Sequence, residues 1–190
     1  MDLTSYADLA VRLVNTAVSV DSHADQLGTS DASRAFVAGH PHLTGPWTHH
    51  DHDALRSLRA ELTAIFTAAA ERDYAAAAEK MNVLLVQYPV RPVLTRHDRS
   101  RWHLHLDQSG SVADRYAAGA VYGLAAIATG VGMNHLGICA NPDCRGAFVD
   151  PAPSRPRRYC AQHCPDTANV TAFREHRRAG GGLSASTAVG

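Results

Sequence analysis

The sequence predicts an α+β protein, with a mainly helical N-terminal domain that carries a small antiparallel β-hairpin. A small treble-clef-like module with four cysteines follows and ends in a basic helix. Apolar residues recur at helical spacing through much of the N-terminal part, and two alternating stretches around a polar turn are typical of a hairpin. All four cysteines lie within residues 139–164. We therefore divide the chain into domains at 1–136 and 137–180, with a flexible tail at 181–190.

Four segments of the N-terminal domain are predicted to be helices, at 6–18, 53–70, 74–88 and 112–129. The second shows the clearest pattern, because its apolar side chains fall on one face, at Leu55, Leu58, Leu62, Ile65 and Phe66. Residues 19–52 lack such spacing and are predicted to be irregular.

The irregular stretch is rich in histidine, with five of the twelve histidines at positions 40, 42, 49, 50 and 52. Histidine-rich tracts can bind metal. A simpler interpretation is that Asp51 or Asp53 caps the start of the following helix. The sequence alone leaves both interpretations open.

The hairpin is predicted from strands at 90–95 and 102–106, which flank a polar turn at 97–100. Alternation in the second strand places Trp102, Leu104 and Leu106 on one face and two histidines on the other. We interpret the histidine side as a solvated sheet face rather than as a metal site.

Composition and charge argue against several classes of protein. The 190 residues carry no formal net charge and are 45% hydrophobic, which is typical of a globular domain. Positive charge is concentrated near the cysteines, since residues 139–179 hold seven arginines and four acidic residues, a net charge of +3. The first residues lack a basic signal region, and no apolar run approaches the roughly 18 residues of a membrane span. We expect a cytoplasmic protein that does not bind membranes.

The four cysteines are spaced C-x4-C-x15-C-x3-C, as Cys139, Cys144, Cys160 and Cys164. Two close pairs on tight turns suit the tetrahedral coordination of zinc, and four thiolates leave no open position, so such a zinc ion is structural. Two disulfides, or an iron–sulfur or redox role, are the alternatives. The lack of a signal region disfavours the disulfides.

Arginines surround the predicted zinc site. The loop between the cysteine pairs and the helix predicted after Pro165 together carry six of them, namely Arg155, Arg157, Arg158, Arg174, Arg177 and Arg178. Guanidinium groups bind phosphates and read guanine edges, so DNA is the favoured partner. RNA, a protein partner, or arginines that only solubilise the module are the alternatives. A net charge of +3 predicts weak binding by one module, so a homodimer or other surfaces would assist.

The sequence gives no sign of an enzyme. All four cysteines are assigned to metal, and none of the G-x-S-x-G, P-loop, G-x-G-x-x-G or H-E-x-x-H motifs occurs. We expect no catalytic residues.

The chain resembles a known family over nearly its whole length: bacterial proteins that join an ABATE domain to a CGNR-type zinc finger. The matching stretches are Leu13-Val14-Asn15-Thr16, Pro89-Val90-Arg91-Pro92, Cys139-Ala140-Asn141-Pro142-Asp143-Cys144, Phe148-Val149-Asp150, Arg157-Arg158-Tyr159-Cys160 and Ala168-Asn169-Val170. The resemblance implies a stress-induced transcription regulator. The motif after the last cysteine is degenerate, because Cys164-Pro165-Asp166-Thr167 stands where the family has Cys-Gly-Asn-Arg. Without that last arginine, Arg157 and Arg158 are the better candidates for contacting DNA.

The N-terminal domain is the expected place for a small-molecule effector. Asn15 and Arg91 are polar groups that would bind it if they converge. The simpler interpretation of Asn15 is that it satisfies backbone groups near the end of its helix.

Overall fold

The computed structural model describes residues 3–17, 25–40, 43, 45–96, 102–107, 110–150, 157–161 and 164. Its helices are α1 (Leu3–Asn15), α2 (Ser30–Ala38), α3 (His49–Ala70), α4 (Tyr74–Gln87) and α5 (Val112–Gly130), with a short 3-10 turn at Met133–His135. Its strands are β1 (Arg91–Thr95), β2 (His103–Asp107), β3 (Leu136–Ile138) and β4 (Ala147–Val149). No helix in this part of the chain is both long enough and apolar enough to cross a membrane.

Helices α3, α4 and α5 confirm the predicted helical segments to within a few residues at each end. Their starts are set by side-chain caps, with Asp73 accepting a hydrogen bond from Ala76 and Ser111 from Asp114. The predicted apolar face of α3 is buried throughout. The prediction that Asp51 or Asp53 is its N-cap is wrong, because Thr48 is the cap and Asp51 is the third helical residue, completing a capping box.

The prediction of an irregular stretch at 19–52 is wrong where α2 forms. Thr29 caps this helix by accepting a hydrogen bond from the backbone N–H of Ala32 at 3.2 Å. The helix has only nine residues, and Phe36 and Val37 are its only large apolar ones, so the sequence offers too few turns to show a helical repeat. Val37 is buried in the main core, and Phe36 packs against it.

Helices α1 and α5 pack together more closely than ordinary side chains permit. A Cβ atom on Gly123 would overlap the backbone of Ala7, so glycine is required at that crossing. Buried alanines line the contact on both helices. Tyr116 adds a hydrogen bond from its hydroxyl to the carbonyl of Leu9 at 2.8 Å. This pair forms the centre of a core that α3 and α4 complete.

The two sheets are separate antiparallel hairpins. Strands β1 and β2 form the predicted hairpin, with Arg91 opposite Asp107 and Thr95 opposite His103. Trp102 lies just before β2 and is 62% exposed. Strands β3 and β4 pair Leu136 with Val149 and were not predicted. This second hairpin packs on α1 and α3 and thereby positions the cysteines.

Candidate metal centre and nucleic-acid interface

The second hairpin and the chain that follows it bring the four cysteines together. Cys139 follows β3 directly, and Cys144 lies in the tight turn before β4. The four Sγ atoms lie within 4.8 Å of one another, with Cys160 Sγ 3.4 Å from that of Cys144 and 3.5 Å from that of Cys164. Cys139, Cys144 and Cys164 are buried.

These distances fit one tetrahedral metal ion. Zinc–sulfur bonds of about 2.3 Å place tetrahedral sulfurs roughly 3.8 Å apart, whereas a disulfide needs about 2.05 Å. All four cysteines are free thiols in the structure. Four sulfur donors suit zinc and occupy every tetrahedral position, so the group is a site for one structural zinc ion.

Burial and hydrogen bonding change the pKa values of the cysteine thiols, and a bound cation would change them further. Burial raises the pKa of Cys144 and Cys160, because a thiolate loses its solvation there. At Cys139 burial acts in the same direction, but hydrogen bonds from the backbone N–H groups of Cys160 and Asn141 outweigh it and lower the pKa. A bound divalent cation deprotonates coordinating thiols outright, so zinc would reverse the effect of burial.

The Asn141 side chain links the first cysteine pair to the second. The first cysteine pair encloses a turn at Asn141-Pro142-Asp143, in which the backbone N–H of Cys144 donates to the carbonyl of Asn141 at 3.0 Å. The Asn141 side chain is fully buried; it accepts from the N–H of Asp143 at 3.0 Å and donates to the carbonyl of Cys164 at 3.2 Å. The sequence indicates the turn but not this second role.

Asn15 joins the N-terminal domain to the zinc module. Its amide group donates to the carbonyl of Ala147 at 3.0 Å and accepts from the N–H of Ala147 at 2.7 Å. Asn15 thus satisfies backbone groups, as one interpretation of the sequence expects, but on β4 rather than on its own helix. It also borders a groove of about 490 Å³ between α1 and β4. Arg91 is exposed on β1 and does not line this groove, so the structure does not bring the two predicted ligand contacts together.

The side chain of Arg157 folds back onto the zinc module rather than extending from it. Its guanidinium donates to the carbonyls of Tyr159 and Cys160, at 2.9 Å and 2.6 Å, and lies 5.8 Å from the ring centre of Phe148. Its backbone N–H donates to the Asp150 carboxylate at 2.8 Å. These contacts give Arg157 a structural role in the loop that carries the second cysteine pair.

Arg158 is exposed, with its guanidinium 5.9 Å from the ring centre of its neighbour Tyr159. The carbonyl of Arg158 accepts from the backbone N–H of Ala140 at 2.8 Å, which fixes this residue beside the first cysteine pair. The predicted basic helix and the treble-clef topology depend on residues outside the described part of the chain. The other predicted DNA contacts also lie outside it, namely Arg155, Arg174, Arg177 and Arg178.

Arg145 is a further exposed arginine of the module and is not among the predicted DNA contacts. It follows Cys144 and has a left-handed backbone, with φ of 50°. Its N–H donates to the carbonyl of Asn141 at 3.0 Å, which fixes its place at the end of the turn. The sequence did contain a signal for Arg145. It lies between Cys144, a predicted metal ligand, and Gly146, where a tight turn is expected.

The histidine-rich stretch forms ordinary side-chain contacts where it is described. His52 Nδ1 lies 2.8 Å from the hydroxyl of Ser33, and His40 packs edge-on against Tyr116. Burial lowers the pKa of His40. Within the described residues, the four cysteines form the one group of three or more potential metal ligands that lie close enough together to share an ion.

Comparison with known protein families places both parts of the chain. Residues 7–131 match the ABATE family, described as "putative stress-induced transcription regulator". Residues 135–177 match the CGNR zinc finger. No curated protein matches the chain. The ABATE match covers more than half of the sequence, so the chain belongs to the ABATE family and carries a CGNR zinc finger behind its ABATE domain.

Proposed function

We propose that this protein is a transcription regulator that binds DNA through its zinc module and responds to a small ligand held by the ABATE domain. The observation that carries the DNA-binding part is the placement of Arg145 and Arg158. Both are exposed, and both are fixed by backbone hydrogen bonds to the turn that holds the first cysteine pair.

A rigid support makes these arginines suited to a phosphate backbone. Guanidinium groups bind phosphate oxygens through paired N–H donors, and a preorganised backbone lowers the entropy lost on binding. Two such contacts give modest affinity, so the proposal includes a homodimer that presents two modules to one duplex. It includes no catalytic step, because the four thiols serve as metal ligands.

A second candidate function is a regulator whose zinc module is purely structural and contacts a protein partner or no partner. The observation that favours it is the position of Arg157, whose guanidinium is occupied by the carbonyls of Tyr159 and Cys160. The replacement of the family's final arginine by Thr167 also removes one cation from the module.

Alanine variants of the two exposed arginines separate these functions. We expect Arg145→Ala and Arg158→Ala each to weaken duplex binding severalfold and to lower the salt dependence by about one phosphate contact. Fluorescence anisotropy with the zinc-loaded protein at several salt concentrations measures both effects. Arg34→Ala removes an exposed arginine of α2 and serves as the matched control. If both module variants bind like Arg34→Ala, Arg145 and Arg158 do not contact DNA, and the observation that carries the DNA-binding proposal is lost.

A further inference from the structure

A cleft of about 600 Å³ lies beside the end of α3 and is also lined by residues of the zinc module. Ala69, Ala70 and Arg72 line one side, and Leu136 and Phe148 lie on the other. Arg158 also lines the cleft. A volume of this size lies within the range of small-molecule sites, and such sites combine an apolar surface with a few polar groups.

The charges of the cleft are unequal. Three arginines and one acidic residue line it, namely Arg72, Arg157, Arg158 and Asp150. Asp150 accepts the backbone N–H of Arg157, and the Arg157 guanidinium is bound to two carbonyls. Within the part of the chain that the structure describes, neither Arg72 nor Arg158 forms an ion pair with a carboxylate. These two exposed guanidiniums therefore give the cleft a positive potential.

Arg72 occupies a position where glycine is the usual residue. It follows α3 with a left-handed φ of 65°. The helix ends in paired reverse hydrogen bonds, from the N–H of Arg72 to Ala69 and from the N–H of Asp73 to Ala68. Glycine predominates there because a side chain strains the left-handed backbone. Arg72 occupies this position despite the strain, and its side chain lines the cleft.

We propose that the cleft binds a small organic anion. Its phosphate or carboxylate group is held by Arg72 and Arg158, and its apolar part lies against the exposed ring of Tyr74 and the partly exposed Ile138, which also line the cleft. This proposal deepens and rests on the proposed function, because Arg158 is also a proposed DNA contact. A ligand that occupies Arg158 competes with DNA, which couples the effector directly to the zinc module.

Calorimetry on the full-length, zinc-loaded protein tests the site with phenyl phosphate as the probe. We expect saturable binding that is tighter than that of inorganic phosphate, which lacks the apolar part, and tighter than that of phenol, which lacks the charge. Arg72→Gly should weaken phenyl phosphate binding about tenfold or more, since it removes a charge-assisted contact. Its melting temperature should be no lower than that of the parent, because glycine relaxes the backbone.

The matched control is Arg145→Gly, which relaxes the other left-handed arginine but lies outside the cleft lining. It should bind phenyl phosphate like the parent. The site proposal is overturned if the parent shows no saturable binding, or if Arg72→Gly and Arg145→Gly bind the probe equally.

Repeating the DNA titration with phenyl phosphate present tests the competition. The apparent DNA affinity of the parent should fall as the probe saturates, and that of Arg72→Gly should change much less. If the probe binds but DNA affinity is unchanged, the competition is overturned and the site stands. If the parent binds no DNA at all, the proposed function fails, and calorimetry still decides the site.

Discussion

At the residue scale, the single side chain of Asn15 links the two domains through two hydrogen bonds. A side-chain amide has the same donor and acceptor groups as a backbone peptide, so it pairs with both polar groups of Ala147 as a neighbouring strand would. The pair lies in a partly buried position at the end of α1. Any replacement that breaks it leaves backbone groups of β4 without their partners.

Asn15→Ala should lower the free energy of unfolding by about 1 to 3 kcal/mol, because it removes two hydrogen bonds from a partly buried strand. The amide proton of Ala147 should lose protection from hydrogen exchange. Asn82→Ala is the control, since Asn82 is exposed on α4. Equal stability and equal Ala147 exchange in the two variants would show that the link contributes nothing.

The sequence identified Asn15 as unusual but could not identify its partner. Ala147 lies 132 residues away, and its contribution is backbone that carries no sequence signal. The same limit applies to Arg157, whose partners are the carbonyls of Tyr159 and Cys160. By contrast, the cysteines could be predicted as a group, because metal ligands need particular residue types at particular spacings.

At the element scale, one carboxylate supports the starts of two helices. The buried Asp51 side chain accepts from the N–H and hydroxyl of Thr48 in the capping box of α3, at 2.8 Å and 2.7 Å. It also accepts from the N–H of Ala113 in the first turn of α5, at 3.0 Å. Burial by itself raises the pKa of Asp51, but these hydrogen bonds outweigh it and lower the pKa.

Asp51→Asn should reduce the free energy of unfolding at pH 7 by about 1 to 3 kcal/mol, because an amide cannot accept all of these hydrogen bonds. The pKa of Asp51 is lower in the folded protein than in the unfolded chain, where it is about 3.9. The ionised group therefore stabilises the fold above that pH, and the contribution is lost as pH falls through the folded-state pKa.

The difference in stability between parent and Asp51→Asn should therefore shrink below pH ~4. Urea unfolding at pH 7 and at successively lower pH measures it. Loss of zinc in acid affects both proteins alike and cancels in the difference. Asp53→Asn, at an exposed position on α3, should behave like the parent. A pH-independent difference would contradict the role assigned to Asp51.

The long helices and the five-residue strands of the first hairpin could be predicted, whereas α2 and the three-residue strands could not. Helices α3 and α5 have 22 and 19 residues, so their apolar positions recur over several turns. Strands β3 and β4 have three residues each, too few for alternation to be recognised. Their pairing depends on Gly137, where a Cβ atom would overlap the ring of Phe148, and that contact exists only after folding.

At the scale of the whole molecule, the zinc module has two distinct supports. Leu136 and Ala147 of its hairpin are buried in the main helical core. The cysteines form a separate small cluster with Tyr159 and Ala161. Metal removal should therefore release the loop that carries Arg158 and the second cysteine pair, while the helices, which precede the first cysteine in the described part, stay folded.

The most direct test of the account is a fluorescence-anisotropy titration of zinc-loaded and zinc-free protein. The targets are the promoter of the protein's own gene and a scrambled duplex, each at two salt concentrations. We expect the zinc-loaded protein to prefer the promoter and to retain that preference at higher salt, because base contacts are less sensitive to salt than phosphate contacts. The zinc-free protein should lose the preference while keeping its helical circular dichroism. The contradicting result is that both forms of the protein bind the two duplexes equally and lose that binding at higher salt. The zinc module would then not recognise a DNA sequence.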